Sequence, residues 1–448
     1  MRPVLGVPGM VVFGLSFMVP IAPFGVFGSV FAASGGQVVG AYLVGAAVMA
    51  LTACSFVVMA RDYAGVGSVH TFVGRAVGPV AGFLAGWMLL LDYLLVPALI
   101  ALVTANGLHA AVPTVPAAVW IIGLVLVATV LNLVGIARVV AIGAALLVVQ
   151  LAVVAVFVAA AVTALGTGAT RPGQPLLAPL LGPAGGPPLL AGAAVAVLSY
   201  LGFESIATLG EENRERRSAV GRAIAVALAV CAALFVVQCW CAALLVPDPA
   251  GLVARGDADG AAFYAAADAA GGPWLVAAAA WCAAGAGVAN ALVAQAATAR
   301  LLLGFARAGQ APAALARVEA RRGVPTAAAL VVAVLALVVA LVAAAAGGLA
   351  TLVTLVNVGA LVAFAALHAA VLFRFAERGR SRHPVHLLVP VLGIVTIGAV
   401  VVSSADVARS LGAAWLVSGV AVSVLWLRRR GSGAAGEGAP KVVDGGRA

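Results

Sequence analysis

Charged residues are scarce in this chain. Asp, Glu, Lys and Arg together make up 9% of its 448 residues, whereas hydrophobic residues make up 64% and the mean hydropathy is +1.18. Soluble globular proteins carry about 25% charged residues, so this composition excludes a soluble protein. Apolar stretches of about 20 residues, each long enough to cross a bilayer as a helix, fill nearly the whole chain. The sequence therefore predicts an all-α polytopic membrane protein.

The chain also lacks the motifs of several enzyme and cofactor classes. It has no GxxxxGK sequence, which excludes a built-in P-loop ATPase. Its five histidines show no spacing that recurs with cysteines or acids, as a metal centre requires. Its five cysteines lie in or near apolar stretches, where thiols act as small hydrophobic groups. The polar clusters of a membrane hydrolase are missing. We therefore expect no enzyme activity, no cofactor and no metal.

The apolar stretches divide into about 12 predicted membrane spans. They cover, in order, residues 8–33, 38–60, 80–108, 115–135, 138–165, 187–210, 219–246, 273–304, 325–346, 348–374, 386–404 and 410–427. Numbered in this order, the spans define the connections between them, and the charges of those connections test the count independently.

Arginine is concentrated in alternate connections, which is typical of the cytoplasmic side of short loops. The arginines of these connections are Arg61, Arg75, Arg138, Arg214, Arg216, Arg217, Arg222, Arg307, Arg317, Arg321, Arg322, Arg374, Arg378, Arg380 and Arg382, against Arg171, Arg255 and Arg409 in the others. Both termini fall on the arginine-rich side, so we expect a multi-pass protein of the cell membrane with both termini in the cytoplasm. The net charge of +10 follows from these loops and indicates no nucleic-acid partner.

Two spans contain residues that interrupt a continuous helix. Span 1 carries MVPIAPFGVFG, in which Pro20 and Pro23 lack a backbone donor and Gly25 is conformationally free. Span 6 carries SYLGFES, in which Gly202 lies close to the acidic residue Glu204. Discontinuous helices at corresponding positions of two halves indicate an inverted-repeat transporter with a binding site at the membrane midplane.

These breaks divide the chain into two predicted five-helix repeats, about 8–165 and 187–374, followed by two extra spans over 386–427. A long, mildly polar connection follows the second span of each repeat, and the two connections fall on opposite faces, as inversion requires. We assign residues 1–430 to one transmembrane permease domain. The Gly- and Ala-rich segment 431–448 is predicted to be a disordered cytoplasmic tail.

Several ordered motifs, from about residue 10 to 425, resemble the amino acid–polyamine–organocation permeases, and most of all their bacterial putrescine-importer branch. The motifs are VPIAPFGVFG, GSVHTFVGRAVGPVAGFLAGWMLLLDYLLVPAL, LGFESIATLGEENRERRSAVGRAI, AQAATARLLLGFARAGQAP and LVNVGALVAFAALHAAV. The resemblance implies a LeuT-like 5+5 inverted repeat with spans 1 and 6 unwound around the substrate. It also implies secondary uptake of amino acids or polyamines by alternating access, driven by an ion gradient.

The chain departs from this family at two points that bear on the substrate. Prolines occupy part of the Gly-rich break in span 1 whose free amides hold a substrate carboxylate in many family members. The membrane lysine that some members use as a proton switch is missing, since Lys441 in the tail is the only lysine. An amine has no carboxylate to satisfy and needs acidic or aromatic partners instead. The balance therefore favours an amine over an amino acid.

The candidate site residues come from the two breaks and from the segment LLLDYLLVP of span 3, with polar residues of span 8. The substrate-binding candidates are Ala22, Pro23, Gly25, Tyr93, Ser199, Gly202, Phe203 and Glu204. The candidates for proton or ion coupling are Glu204, Asp92, Asn290 and Thr298. An acid inside the membrane is a functional hypothesis by default, because burying its charge costs about 2.5 kcal/mol or more.

Each candidate also has a structural interpretation. Glu204 would be solvated if the break admitted water, and Asp92 would pair with a neighbouring helix. Asn290 and Thr298 would bridge helices. We expect Arg300 to extend to the cytoplasmic face. The run EENRERR, which begins at Glu211, is expected to form a solvated cytoplasmic cap.

The sequence thus predicts a secondary transporter that imports amino acids or polyamines, with proton symport as the coupling. Its partners are a small amine or amino acid, a coupling proton or cation, and the lipid bilayer. Two alternatives remain open at this point. One is an importer specific for putrescine or polyamines, and the other is a sensor or channel that binds the same ligands without concentrating them.

Overall fold

The computed structural model describes residues 4–63, 68–112, 114–168, 175–181, 189–216, 218–257, 260–319, 321–346, 348–376, 384–402 and 406–434. The loop arginines Arg171, Arg217, Arg378, Arg380 and Arg382, and the predicted tail beyond Ala434, lie outside these residues. Apart from one isolated bridge between Leu5 and Asn213, the described part of the chain has helices and connections only.

The α-helices are α1 Val7–Met18, α2 Pro23–Ala33, α3 Val38–Asp62, α4 Val69–Ala76, α5 Pro79–Ala111, α6 Ala117–Val134, α7 Ile136–Gly166, α8 Ala178–Leu181, α9 Leu189–Ala196, α10 Ser218–Leu245, α11 Pro249–Arg255, α12 Ala262–Gly271, α13 Pro273–Arg307, α14 Thr326–Ala346, α15 Leu349–Ala376, α16 Pro384–Val402 and α17 Asp406–Ala434. Three segments are 3-10 helices, namely Val197–Tyr200, Phe203–Leu209 and Ala313–Ala316. Proline begins α2, α5 and α13, where its missing N–H breaks no helical hydrogen bond.

The predicted fold class is confirmed. Within the described residues, nine helical segments are long and apolar enough to cross a membrane, and the bent pair α1 and α2 forms a further span. Shorter apolar helices, His386–Val402 and Arg409–Val424, lie within α16 and α17. Together these segments match the predicted spans in order. The bounds of the two repeats remain a prediction.

The two long connections predicted between corresponding spans each contain short helices. Helix α4 lies between spans 2 and 3, on the face that carries the arginine-rich loops, and Ser68 caps it by accepting the Thr71 N–H at 3.3 Å. Helices α11 and α12 lie between spans 7 and 8, on the opposite face. We call these two sides the arginine-rich face and the arginine-poor face.

Helix α1 lies at the centre of the bundle. It packs against α7, α10, α13 and the 3-10 segment Phe203–Leu209 of span 6. Helix α5 packs against α13 and α15, and α10 packs against α3. The two interrupted spans therefore meet each other inside a shell of continuous helices, away from the lipid.

Candidate functional site

Span 1 is interrupted between Met18 and Pro23, as the sequence predicts. The axes of α1 and α2 differ by 57°. Pro20 and Pro23 have no N–H, so neither can continue the helical ladder. Val19 adopts a φ of 54°, and its carbonyl accepts the Ala22 N–H at 2.7 Å in a tight turn. The two prolines and the turn at Val19 thus account for the missing helical hydrogen bonds of the break.

Two amide side chains satisfy carbonyl groups that this break leaves without a helical donor. Asn290 of α13 donates from Nδ2 to the Phe17 carbonyl at 2.5 Å, and Gln238 of α10 donates from Nε2 to the Pro20 carbonyl at 2.9 Å. Because a carbonyl requires a donor, each amide must direct its nitrogen at the backbone. The opposite atoms, Asn290 Oδ1 and Gln238 Oε1, are buried without a partner among the described residues. Sequence analysis missed Gln238, although it is a lone amide in an apolar span.

Span 6 is interrupted at Gly202. Helix α9 tightens into the 3-10 segment Val197–Tyr200, and the chain then turns through Leu201 and Gly202 before Phe203–Leu209. Gly202 has a φ of 120°, which side chains rarely permit. A Cβ atom there would lie 2.5 Å from Cδ1 of Phe17, next to the break in span 1. The two interruptions therefore touch.

We expect Gly202→Ala to disable the site. The methyl group adds the strain of a positive φ, about 1–3 kcal/mol, to the collision with Phe17. Ligand-dependent stabilisation of the purified protein against heat should be lost, while the protein still inserts. Gly272→Ala is the matched control, because Gly272 also has a positive φ, of 83°, but a Cβ atom there meets no atom within 4 Å. Equal ligand binding by the two variants would contradict the role given to this turn.

Glu204 lies directly after this turn and is buried. Its side chain is 2% exposed, and Oε2 accepts the Gly202 N–H at 2.8 Å. Its other oxygen, Oε1, has no hydrogen-bond partner in the described part of the chain. This burial argues against the interpretation that Glu204 is solvated near the helix end. One carboxylate oxygen stabilises the break, and the other remains available to a ligand or a proton.

Asp92 and Tyr93 of α5 face the same interior. Both are fully enclosed, and both interact electrostatically with Glu204. The Tyr93 ring centroid lies 6.0 Å from that of Phe17. Neither oxygen of Asp92 nor the Tyr93 hydroxyl has a hydrogen-bond partner among the described residues. Among the described residues no neighbouring helix supplies a partner to Asp92, which argues against its structural interpretation. Asp92 and Tyr93 both remain candidates.

The remaining predicted residues lie farther from this cluster. The Ser199 hydroxyl is 3.3 Å from that of Tyr42, between spans 6 and 2. The Phe203 ring packs against Phe56 and Phe364, at 5.9 and 6.0 Å. Three further candidates lie at the start of α2, on the arginine-poor side of the break. They are Ala22, Pro23 and Gly25.

Aromatic rings close the arginine-poor side of the site. Phe263 of α12 stacks on Phe24 with centroids 4.1 Å apart, and it contacts Phe157 at 4.7 Å and Phe27 at 5.8 Å. All four side chains are buried. Helix α12 thus acts as a plug over the start of α2.

The arginine-rich side contains a cavity of about 350 Å³. Thr208, one turn beyond Glu204, lines it, together with His70 and Gln310. His70 Nε2 lies 2.6 Å from Gln310 Oε1. Burial lowers the pKa of His70, although the hydrogen bond to Gln310 opposes that shift. Aromatic rings thus pack on one side of the two breaks, and this cavity, which we call the vestibule, lies on the other side.

Comparison with known proteins places this architecture. The family model described as amino acid permease matches residues 10–426. The chain belongs to this family. The low-affinity putrescine importers PlaP of Escherichia coli strain K12 and of Escherichia coli O157:H7 are each 29% identical to the permease over 252 residues. The match covers 55% of this chain and 55% of each relative, so the chain spans about half the length of these relatives. The family and the apolar helices together indicate a multi-pass membrane permease.

The permease carries a buried ion pair next to the vestibule. Arg300 Nε donates to Glu212 Oε1 at 2.8 Å, and the side chains are 7% and 2% exposed. The Glu212 carbonyl also accepts the N–H groups of Val4 and Leu5, each at 2.9 Å. The expectation that Arg300 extends to the face is therefore wrong, and Glu212 does not belong to a solvated cap. The sequence does not show that Arg300 and Glu212 pair with each other, because 88 positions separate them along the chain.

Proposed function

We propose that this permease imports small amines, polyamines such as putrescine above all, across the cell membrane by proton symport. Alternating access would occur around the touching breaks of spans 1 and 6. The arginine-rich face would be cytoplasmic, with both termini on that side. Amino acids remain the second substrate class, because the family model is that of amino acid permeases.

The observation that carries this proposal is a set of buried acceptor atoms around the two breaks. Oxygens without a hydrogen-bond partner among the described residues are Glu204 Oε1, Asp92 Oδ1 and Oδ2, Tyr93 Oη, Asn290 Oδ1 and Gln238 Oε1. Buried acceptors need donors, and an ammonium group brings three N–H donors and a positive charge. A polyamine has such a group at each end.

The region around the two breaks offers fewer hydrogen-bond donors, which the carboxylate of an amino acid would need, than acceptors. Its carboxylate requires free N–H groups at the start of a half-helix. Pro20 and Pro23 have none, and the Gly202 N–H already donates to Glu204. The Tyr93 hydroxyl lies beside Glu204, whose carboxylate competes for its proton. The site therefore suits an amine better than a carboxylate.

Charge balance supports proton coupling. Two carboxylates buried in one interior repel each other unless a positive charge joins them. A proton on Asp92 or Glu204 and one ammonium group, or the two ammonium groups of a diamine, would neutralise both. No lysine or arginine among the described residues forms an ion pair with either acid. The site is neutral with one proton and one ammonium group, so proton symport of putrescine requires that its second ammonium group lie outside the interior that holds the two acids.

The closure on one side favours a carrier over a channel. The aromatic plug around Phe263 covers the arginine-poor side, while the vestibule borders the site from the other side. A channel needs a path open to both sides at once, whereas a carrier opens each side in turn. A sensor would bind the ligand with the same geometry, so only an experiment can distinguish a sensor from a carrier.

Transport is tested with purified protein in liposomes. We expect labelled putrescine to accumulate against its own concentration gradient when an inward proton gradient is imposed. When a protonophore removes the proton gradient, putrescine should reach equal concentrations on both sides and accumulate no further. Unlabelled putrescine, longer polyamines and a panel of amino acids then compete for uptake. Stronger competition by an amino acid would contradict the amine assignment. Binding without accumulation under any ion gradient would contradict the transporter.

A further inference from the structure

Pro97 interrupts the hydrogen-bond ladder of span 3 next to the proposed site. It lies inside α5, and in a continuous helix the N–H of residue 97 would donate to the carbonyl of residue 93. Proline has no N–H, so α5 itself leaves the Tyr93 carbonyl without a donor. In a membrane protein such a carbonyl must find a donor within the protein.

Thr298 of α13 supplies the donor. Its Oγ1 lies 2.6 Å from the Tyr93 carbonyl oxygen and 2.7 Å from that of Ala294. The hydroxyl has one proton for these two acceptors. The Ala294 carbonyl has the backbone N–H of Thr298 available one turn along α13, whereas the Tyr93 carbonyl has lost its helical donor to Pro97. The Thr298 hydroxyl therefore donates its proton across the helix interface, to the Tyr93 carbonyl.

This hydrogen bond fixes the part of span 3 that carries both site residues. Thr298 is fully buried, and the carbonyl it holds belongs to Tyr93, which follows Asp92 directly. In this orientation of the backbone, the side chains of Asp92 and Tyr93 both lie within electrostatic reach of Glu204. A shift of the carbonyl would turn both side chains together.

We infer that Thr298 is a positioning residue, matched to Pro97, which sets substrate affinity by holding the Tyr93 carbonyl and so the direction of Asp92 and Tyr93. This inference rests on the proposed amine site. It differs from the prediction that Thr298 is a coupling residue, and the experiments below separate the two roles. Thr298 acts through the two residues of span 3 and does not contact the substrate.

The test is a cycle of two substitutions. Thr298→Val keeps the shape and removes the hydroxyl, and we expect the KM for putrescine to rise about three- to fifteenfold, the range of interhelical hydrogen bonds in membranes. The maximal rate should change less. Thr298→Ser keeps the hydroxyl and should restore the KM. In Thr163→Val, the lost hydroxyl bonds only the Ala160 carbonyl of its own helix, so the KM should not change.

Pro97→Ala provides the decisive rescue. Alanine returns an N–H that can donate to the Tyr93 carbonyl, so in the Thr298→Val background it should bring the KM back toward the original value. The same non-additivity is expected in the midpoint of thermal unfolding in detergent. A Thr298→Val defect that Pro97→Ala leaves unchanged in both measurements would overturn the inference, as would a Thr298→Val variant with normal affinity and stability.

The two readouts separate this inference from the proposed function. If the unmodified protein takes up no amine, the proposed function fails, but the unfolding midpoints still decide whether Thr298 and Pro97 are matched. If Thr298→Val abolishes dependence on the proton gradient while its KM and unfolding midpoint stay normal, Thr298 is a coupling residue and the positioning role is wrong.

Discussion

Glu204→Gln is expected to lower putrescine uptake about 30-fold or more, because removing one partner of a buried charged pair costs about 2–5 kcal/mol. The glutamine keeps an oxygen for the Gly202 N–H, which Glu204 accepts at 2.8 Å, so the break in span 6 should persist. What is lost is the negative charge that meets the ammonium group and the acid that binds the proton. Initial rates of uptake into proteoliposomes, at equal protein content, measure the effect.

The matched control is Glu319→Gln. This substitution is chemically identical, but Glu319 is exposed on the arginine-rich face. Its uptake should equal that of the unmodified protein, and both variants should elute alike on size exclusion. Uptake by Glu204→Gln within a few-fold of the control would remove Glu204 from the site. Normal binding of putrescine without uptake would instead assign Glu204 to the proton alone.

The spans and their breaks were predictable because their causes are local. Hydropathy identifies a helix that crosses the membrane, and a proline removes a hydrogen bond wherever it occurs. The interruption in span 1 follows from Pro20 and Pro23, and that in span 6 from Gly202. Glu204 was selected for a related reason, since an acid in an apolar segment is a functional hypothesis by default, and its role stays a prediction.

The partners that hold these breaks were not predictable, because each pairs distant parts of the chain. Gln238 bonds a carbonyl 218 positions away, and Thr298 bonds one 205 positions away. Sequence alone does not say which side of a helix faces which neighbour. For the same reason, Ser199 was assigned to the site, although its hydroxyl lies against Tyr42.

The buried ion pair beside the vestibule has the second large expected effect. Arg300→Met should destabilise the protein by about 3–5 kcal/mol, because it leaves the Glu212 charge buried without a partner. Glu212 is 1% exposed, and its Oε2 already lacks a hydrogen bond among the described residues. Its carbonyl also accepts the N–H groups of Val4 and Leu5, so the segment before α1 should loosen together with the end of span 6. Chemical denaturation in detergent measures the loss.

A second substitution distinguishes the cost of the unpaired charge from the cost of the lost packing of the Arg300 side chain. Glu212→Gln in the Arg300→Met background removes the unpaired charge and should return most of the stability, since uncharged replacements of both partners are often neutral. Arg255→Met is the matched control, because Arg255 and Asp248 are 65% and 56% exposed and such pairs contribute at most about 1 kcal/mol. If Arg300→Met cost no more than Arg255→Met, water would have to reach Glu212. The vestibule would then extend past Thr208 toward Glu204, and the ion pair would not separate the site from the arginine-rich face.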